Sequence, residues 1–149
     1  MSSLFVDSSA LAKRYLSETA SAWLSEQIDP LSGNTVVVAE ITRVEVAAAL
    51  AARHRAQGIT LSDRARLVNL LLAHCDGEYR IVAVTPTVTA HAVELTQMYR
   101  LRGYDAVQLA SALAAVAALP DLRFVASDAD LLAAALAEGL PCANPHDYA

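Results

Sequence analysis

The sequence predicts an α/β fold: a central parallel sheet of four to five strands flanked by helices on both faces. Short apolar runs alternate with longer stretches of helical periodicity along the chain, the pattern of β-α units that wrap a parallel sheet. The run Thr35-Val36-Val37-Val38 has the continuous β-branched character of a strand buried on both faces. With 55% apolar residues in 149, one domain over residues 1–149 has a core large enough to stand without disulfides or a structural metal.

Leu4-Phe5-Val6 reads as the first strand, ending at Asp7, and Ser8–Leu16 follows as a helix. Thr19–Ile28 is a second helix around Trp23 and Leu24, closed by Pro30 and Gly33. After the strand Thr35–Val38, an alanine-rich helix runs from Thr42 to Gln57 and stops at Gly58. Leu61–His74 is another amphipathic helix, and Arg80–Val84 a strand between Gly77 and Pro86. Thr87–Arg100 places Val88, Ala92, Leu95 and Met98/Tyr99 on one helical face before Arg102-Gly103 breaks it. Asp105–Leu119 is a nearly all-apolar helix, Phe124–Ala126 a strand, Ala129–Glu138 a helix ended by Gly139, and Pro141–Ala143 a last short strand.

Charge is unevenly spread. The formal total is −5, a sign that by itself argues against a nucleic-acid ligand. Residues 1–102 are balanced, whereas residues 103–149 set Arg123 alone against Asp105, Asp121, Asp128, Asp130, Glu138 and Asp147. The longest uncharged stretch, Ala106–Pro120, is shorter than the roughly 18–20 residues that span a bilayer. No secretory signal is read at the start, and Cys75 and Cys142 have no disulfide or zinc spacing, so a reducing cytoplasm and no membrane association are expected.

In open parallel sheets ligands bind beyond the carboxyl ends of the strands, and four acids are expected there. Asp7 follows the first strand, Glu45 lies in the first turn after the second, Asp105 opens the apolar helix, and Asp128 follows Phe124–Ala126. Each has a plainer reading. Thr42-Arg43-Val44-Glu45 fits a capping box, and Asp105 and Asp128 stand where N-caps stand. Asp7 is the least suited to capping, because Ser8 and Ser9 are at hand. Four carboxylates about 6 Å apart at an effective dielectric of about 20 repel by roughly 3 kcal/mol per pair. Such a cluster calls for a cation, and an all-oxygen set selects a hard one, Mg²⁺ or Mn²⁺, able to activate water for attack on a phosphodiester.

At these residues the sequence resembles a known family. Val6-Asp7-Ser8-Ser9-Ala10-Leu11, Thr42-Arg43-Val44-Glu45-Val46, Leu101-Arg102-Gly103-Tyr104-Asp105-Ala106 and Ser127-Asp128-Ala129-Asp130-Leu131 look like the four acidic blocks of PIN-domain ribonucleases, and more narrowly of VapC-type toxins. The resemblance spans essentially the whole chain and implies a PIN-like fold. It also implies a metal-dependent endoribonuclease that leaves 5′-phosphate and 3′-hydroxyl ends, a small VapB-like antitoxin partner and a homodimer. Asp7, Glu45, Asp105 and Asp128 would then hold Mg²⁺ or Mn²⁺, with Asp130 either reaching a second ion or lying in solvent. Ser127 stands where the family commonly has Thr and keeps the hydroxyl. Ser8 or Ser9 would support the ligands or cap the first helix.

Arg43, Lys13 and Arg14 are the basic residues expected to guide RNA toward the acids, solvated helix faces being their alternative. Other classes fit less well. An aspartyl-phosphate phosphatase needs a second Asp two residues after the first, where Ser9 stands, and a receiver domain needs a Lys after a late strand, whereas Lys13 is the only lysine. An RNA-processing nuclease outside a toxin–antitoxin pair, or a non-catalytic module on the same fold, remain open at this level.

Overall fold

The computed structural model describes residues 2–149. The strands are β1 (Ser3–Val6), β2 (Thr35–Ala39), β3 (Arg80–Val82), β4 (Arg123–Val125) and β5 (Cys142–Ala143). All pair in parallel, in the order β3-β2-β1-β4-β5. The connecting helices are α1 (Ser8–Tyr15), α2 (Ser21–Ile28), α3 (Thr42–Arg55), α4 (Leu61–Gly77), α5 (Pro86–Met98), α6 (Gly103–Ala115) and α7 (Ala129–Ala137).

Alternation along β1 divides the core. Leu4 and Val6 join Val36 and Val38 beneath α1 to α4. Phe5 joins Val37 and Ala39 beneath α5 to α7, with its ring stacked on Phe124 at 5.6 Å. Right-handed crossovers running one way across the sheet put their helices on one face, and crossovers running back use the other. The chain turns back at β1: β2 lies on one side of it and β4 on the other. The carboxyl ends of β1 and β4 therefore border the switch point, where a crevice opens.

Several element ends differ from the sequence expectation, each for a local reason. Ala20 takes a left-handed conformation (φ 71°), so α2 starts at Ser21 rather than Thr19. α4 continues through Gly77, and the amides of Glu78 and Tyr79 both close on the His74 carbonyl. β3 stops at Val82 because the Val84 amide donates to the Glu40 carboxylate at 3.0 Å instead of extending the ladder. α6 opens at Gly103, two residues early, which puts Asp105 inside its first turn. α7 ends at Ala137, one residue before the expected Glu138, and Gly139 follows with a φ of 91° that suits a residue without a Cβ.

Candidate active site

The four predicted acids line one cavity of about 400 Å³ beyond the carboxyl ends of the strands. Asp7 leaves β1, its amide still bonded to the Val125 carbonyl at 3.0 Å. Contrary to the expectation that a serine would cap α1, Asp7 is the cap: its Oδ1 accepts from the Ala10 amide at 2.9 Å and from the Ser9 hydroxyl at 3.1 Å. Ser8 is turned instead toward Glu45 and donates to its Oε1 at 2.7 Å.

The capping-box reading of Glu45 fails. α3 begins after Ile41, which makes no side-chain cap, and the Glu45 carboxylate is committed to Ser8 and to Gln108 Nε2 at 2.8 Å. Gln108 Nε2 also lies 2.9 Å from Thr42 Oγ1 and 2.8 Å from Ser8 Oγ, so one buried amide from α6 ties together α1 and α3. A capping box does form on α4, between Thr60 and Asp63. Asp105 is not a cap either. Asp128 is one, accepting from the Leu131 amide at 2.9 Å, and it lines the cavity as well.

Burial sets the electrostatics. Asp7 is 3% exposed, and desolvation, aided by the charges of Asp105 and Glu45, pushes its carboxyl up to about 7 against the hydrogen bonds from Ala10 and Ser9. Desolvation also raises Asp105, opposed by Arg102. The Arg102 Nε lies 3.0 Å from Asp105 and its Nη2 3.7 Å from Asp128. The chain thus supplies part of the cation that the carboxylate cluster demands, which the residue spacing alone did not reveal.

Among the described residues no three His, Cys, Asp or Glu side chains stand close enough to share an ion. Each acid has a partner within the chain: Asp7 accepts from Ser9 and Ala10, Glu45 from Ser8 and Gln108, and Asp105 and Asp128 face Arg102. The donor set nevertheless suits a hard divalent ion, being carboxylate oxygen throughout. Two buried oxygens of cavity-lining residues, Ser127 Oγ and Gln108 Oε1, have no hydrogen-bond partner, as expected of groups left for a water or an ion.

Other expected residues fall elsewhere. Asp130 is exposed and lines an adjoining hollow rather than the carboxylate cavity. None of the three basic candidates lines the cavity. Lys13 is 6% exposed and paired with Glu18 at 3.2 Å. Arg14 is bound to Glu78 and the Tyr79 hydroxyl, and the Arg43 charge acts on the Cys75 thiol of α4. Helical wheels could not tell these faces from the one above the sheet. Arg102, Tyr104, Gln108 and Thr42 were missed as site residues. For Arg102 and Tyr104 the signal was adjacency to Asp105; for Gln108 it was a lone amide in an apolar helix.

Comparison with known proteins matches the model of the PIN domain to residues 4–137. Two curated relatives, Ribonuclease VapC45 and Ribonuclease VapC49 from strains of Mycobacterium tuberculosis, are each 37% identical over 118 residues, covering 74% of this chain and 75% of theirs. Among solved structures, VapBC2 from Rickettsia felis bound to a promoter DNA fragment superposes with a TM-score of 0.64 at 11% identity, over 95% of this chain and 98% of that one. FitAcB from Neisseria gonorrhoeae gives 0.63 at 18% identity, over 95% and 97%.

Proposed function

The chain belongs to the PIN-domain family, and from that premise we propose that it is a VapC-type ribonuclease, the toxin of a toxin–antitoxin pair. The observation that carries this reading is the meeting of Asp7, Glu45, Asp105 and Asp128, from four distant segments, around one cavity at the switch point of the sheet. An isolated cap needs no such convergence. The names of the M. tuberculosis relatives support the ribonuclease activity.

The four carboxylates are the proposed ligands of Mg²⁺ or Mn²⁺, which when bound supplies an activated water and charge neutralisation at the scissile phosphate. The chain's own residues prepare the site. Ser9 and the Ala10 amide fix the Asp7 carboxylate, Ser8 and Gln108 orient Glu45, and the α6 backbone holds Asp105 at the rim. The proposed partners are single-stranded RNA, a small VapB-like antitoxin and a second copy of the chain. The antitoxin is supported by the complex that the R. felis structure's name describes. No helix among the described residues is long and apolar enough to cross a membrane, and the proposed location is the cytoplasm.

Purified protein free of antitoxin is expected to cleave RNA with Mg²⁺ or Mn²⁺, to stop in EDTA, and to lose at least about a hundredfold in rate, ~2.7 kcal/mol of barrier, on Asp7→Asn or Asp105→Asn. Gel analysis of end-labelled RNA checks this, and cleavage unchanged in both variants overturns the site.

A further inference from the structure

Beside the carboxylate cavity lies a second hollow of about 500 Å³, which shares Arg102, Asp105 and Asp128 with it and adds Thr96, Tyr99, Arg100, Leu101 and the exposed Asp130. Arg102 is the only Lys or Arg among the described residues that lines both. Its guanidinium rests on Asp105 and Asp128, yet its side chain is 63% exposed. In the pair with Asp105 only the guanidinium side is open to water and screened: the Asp105 side chain is 10% exposed, and a carboxylate that buried needs a cation beside it. The guanidinium can therefore leave Asp105 when another cation takes its place there, while the Arg102 backbone stays fixed as the N-cap residue of α6; its guanidinium carbon sits 4.8 Å from the centre of the Tyr104 ring. Arg100, two residues earlier, is exposed and joins none of the ion pairs among the described residues.

We propose that Arg102 grips the RNA phosphate next to the scissile one, in the second hollow with Arg100 beside it, and that Asp105 and Asp128 hold its guanidinium in reserve in the metal-free protein. This rests on the ribonuclease reading above. A guanidinium fork matches phosphate oxygens two at a time. It leaves its carboxylates when their charge is taken up elsewhere, so the same pair of acids governs both the ion and the phosphate contact. Tyr104, 45% exposed, lines the carboxylate cavity and offers its ring face to the guanidinium.

The test follows a short, mixed-sequence, fluorescein-labelled single-stranded RNA by anisotropy in Ca²⁺, with Mn²⁺ affinity measured by calorimetry. Arg102→Gln is expected to weaken RNA binding roughly tenfold and to lower the salt slope by about one ion, while Mn²⁺ binding stays equal or tightens. Arg100→Gln is expected to give a smaller loss, and Arg102→Lys to recover part of the binding. RNA affinity unchanged in Arg102→Gln overturns the proposal. So does a fall in Mn²⁺ affinity alongside it, which would make Arg102 a prop of the ligand set. Failure of the unsubstituted protein to bind Mn²⁺ overturns the metal-dependent ribonuclease reading itself.

Discussion

A carboxyl group buried as deeply as Asp7 ionises only against the loss of its hydration, which is why it titrates near 7 rather than at its ordinary 3.8. Between those values the folded metal-free chain keeps a proton that the unfolded chain has released, so stability falls as pH rises through this window. The penalty, about 4 kcal/mol at most, is complete above pH 7. Asp7→Asn keeps a side chain able to cap α1 and removes the ionisation. In EDTA at pH 8 the variant is expected to be more stable than the parent by a few kcal/mol, with the gap narrowing below pH 7 and closing toward pH 4, although its cleavage is lost. Urea unfolding across pH checks this, and a gap independent of pH refutes it. Gln108→Leu attacks the opposite wall. Glu45 loses its amide donor and Thr42 a buried partner, so a stability loss of about 1–3 kcal/mol and a fall of roughly tenfold or more in cleavage are expected, with weaker Mn²⁺ binding in calorimetry. The acids were legible in the sequence because a charge behind a buried strand needs a reason. Gln108 was not, because its partners Thr42 and Ser8 lie 66 and 100 residues away, and nothing local marks an amide as the tie between them.

Helices α1 and α4 are joined at their ends by a buried polar chain that lies outside the cavity. The Tyr15 hydroxyl meets the Tyr79 hydroxyl at 2.6 Å and His74 Nδ1 at 2.7 Å, and Arg14 reaches Tyr79 at 2.7 Å. Burial holds both phenols protonated and keeps His74 below its usual range. Tyr15→Phe leaves His74 Nδ1 without this partner, and a loss of about 1–2 kcal/mol is expected, with cleavage and Mn²⁺ affinity unchanged. A drop in cleavage at full stability would show the two ends of the molecule to be coupled. The strands and helices were readable, because the central strands are buried apolar runs and the longer stretches between them are built of helix formers. Their ends were less so. The stop of β3 depends on the Glu40 side chain, and the early start of α6 moved Asp105 from an expected cap into the first turn. Thr42 and Glu45 have capping-box spacing, yet Ser8 and Gln108, both distant in sequence, take the carboxylate.

The fold as a whole resolves the objection raised by its charge. A net charge of −5 repels RNA at long range, and the acids responsible include Asp105 and Asp128 at the switch point. On the proposed reading, a divalent ion there would remove the repulsion where the phosphate is to dock and would free Arg102, the one Lys or Arg lining that cavity among the described residues, from those acids. Repulsion and rescue thus share one address, and the sequence showed the first without the second because Arg102 belongs to the site only once α6 is packed against β2 and β3. The consequence is measurable. RNA affinity is expected to rise at least about tenfold when Mn²⁺ is added to metal-free protein, beyond what NaCl of equal ionic strength does, since screening without site occupancy also weakens every phosphate contact. Equal affinity of metal-free and Mn²⁺-loaded protein for the same RNA would place the binding surface away from the carboxylates. The convergence of the four acids would then have to be explained by helix capping and internal hydrogen bonds alone.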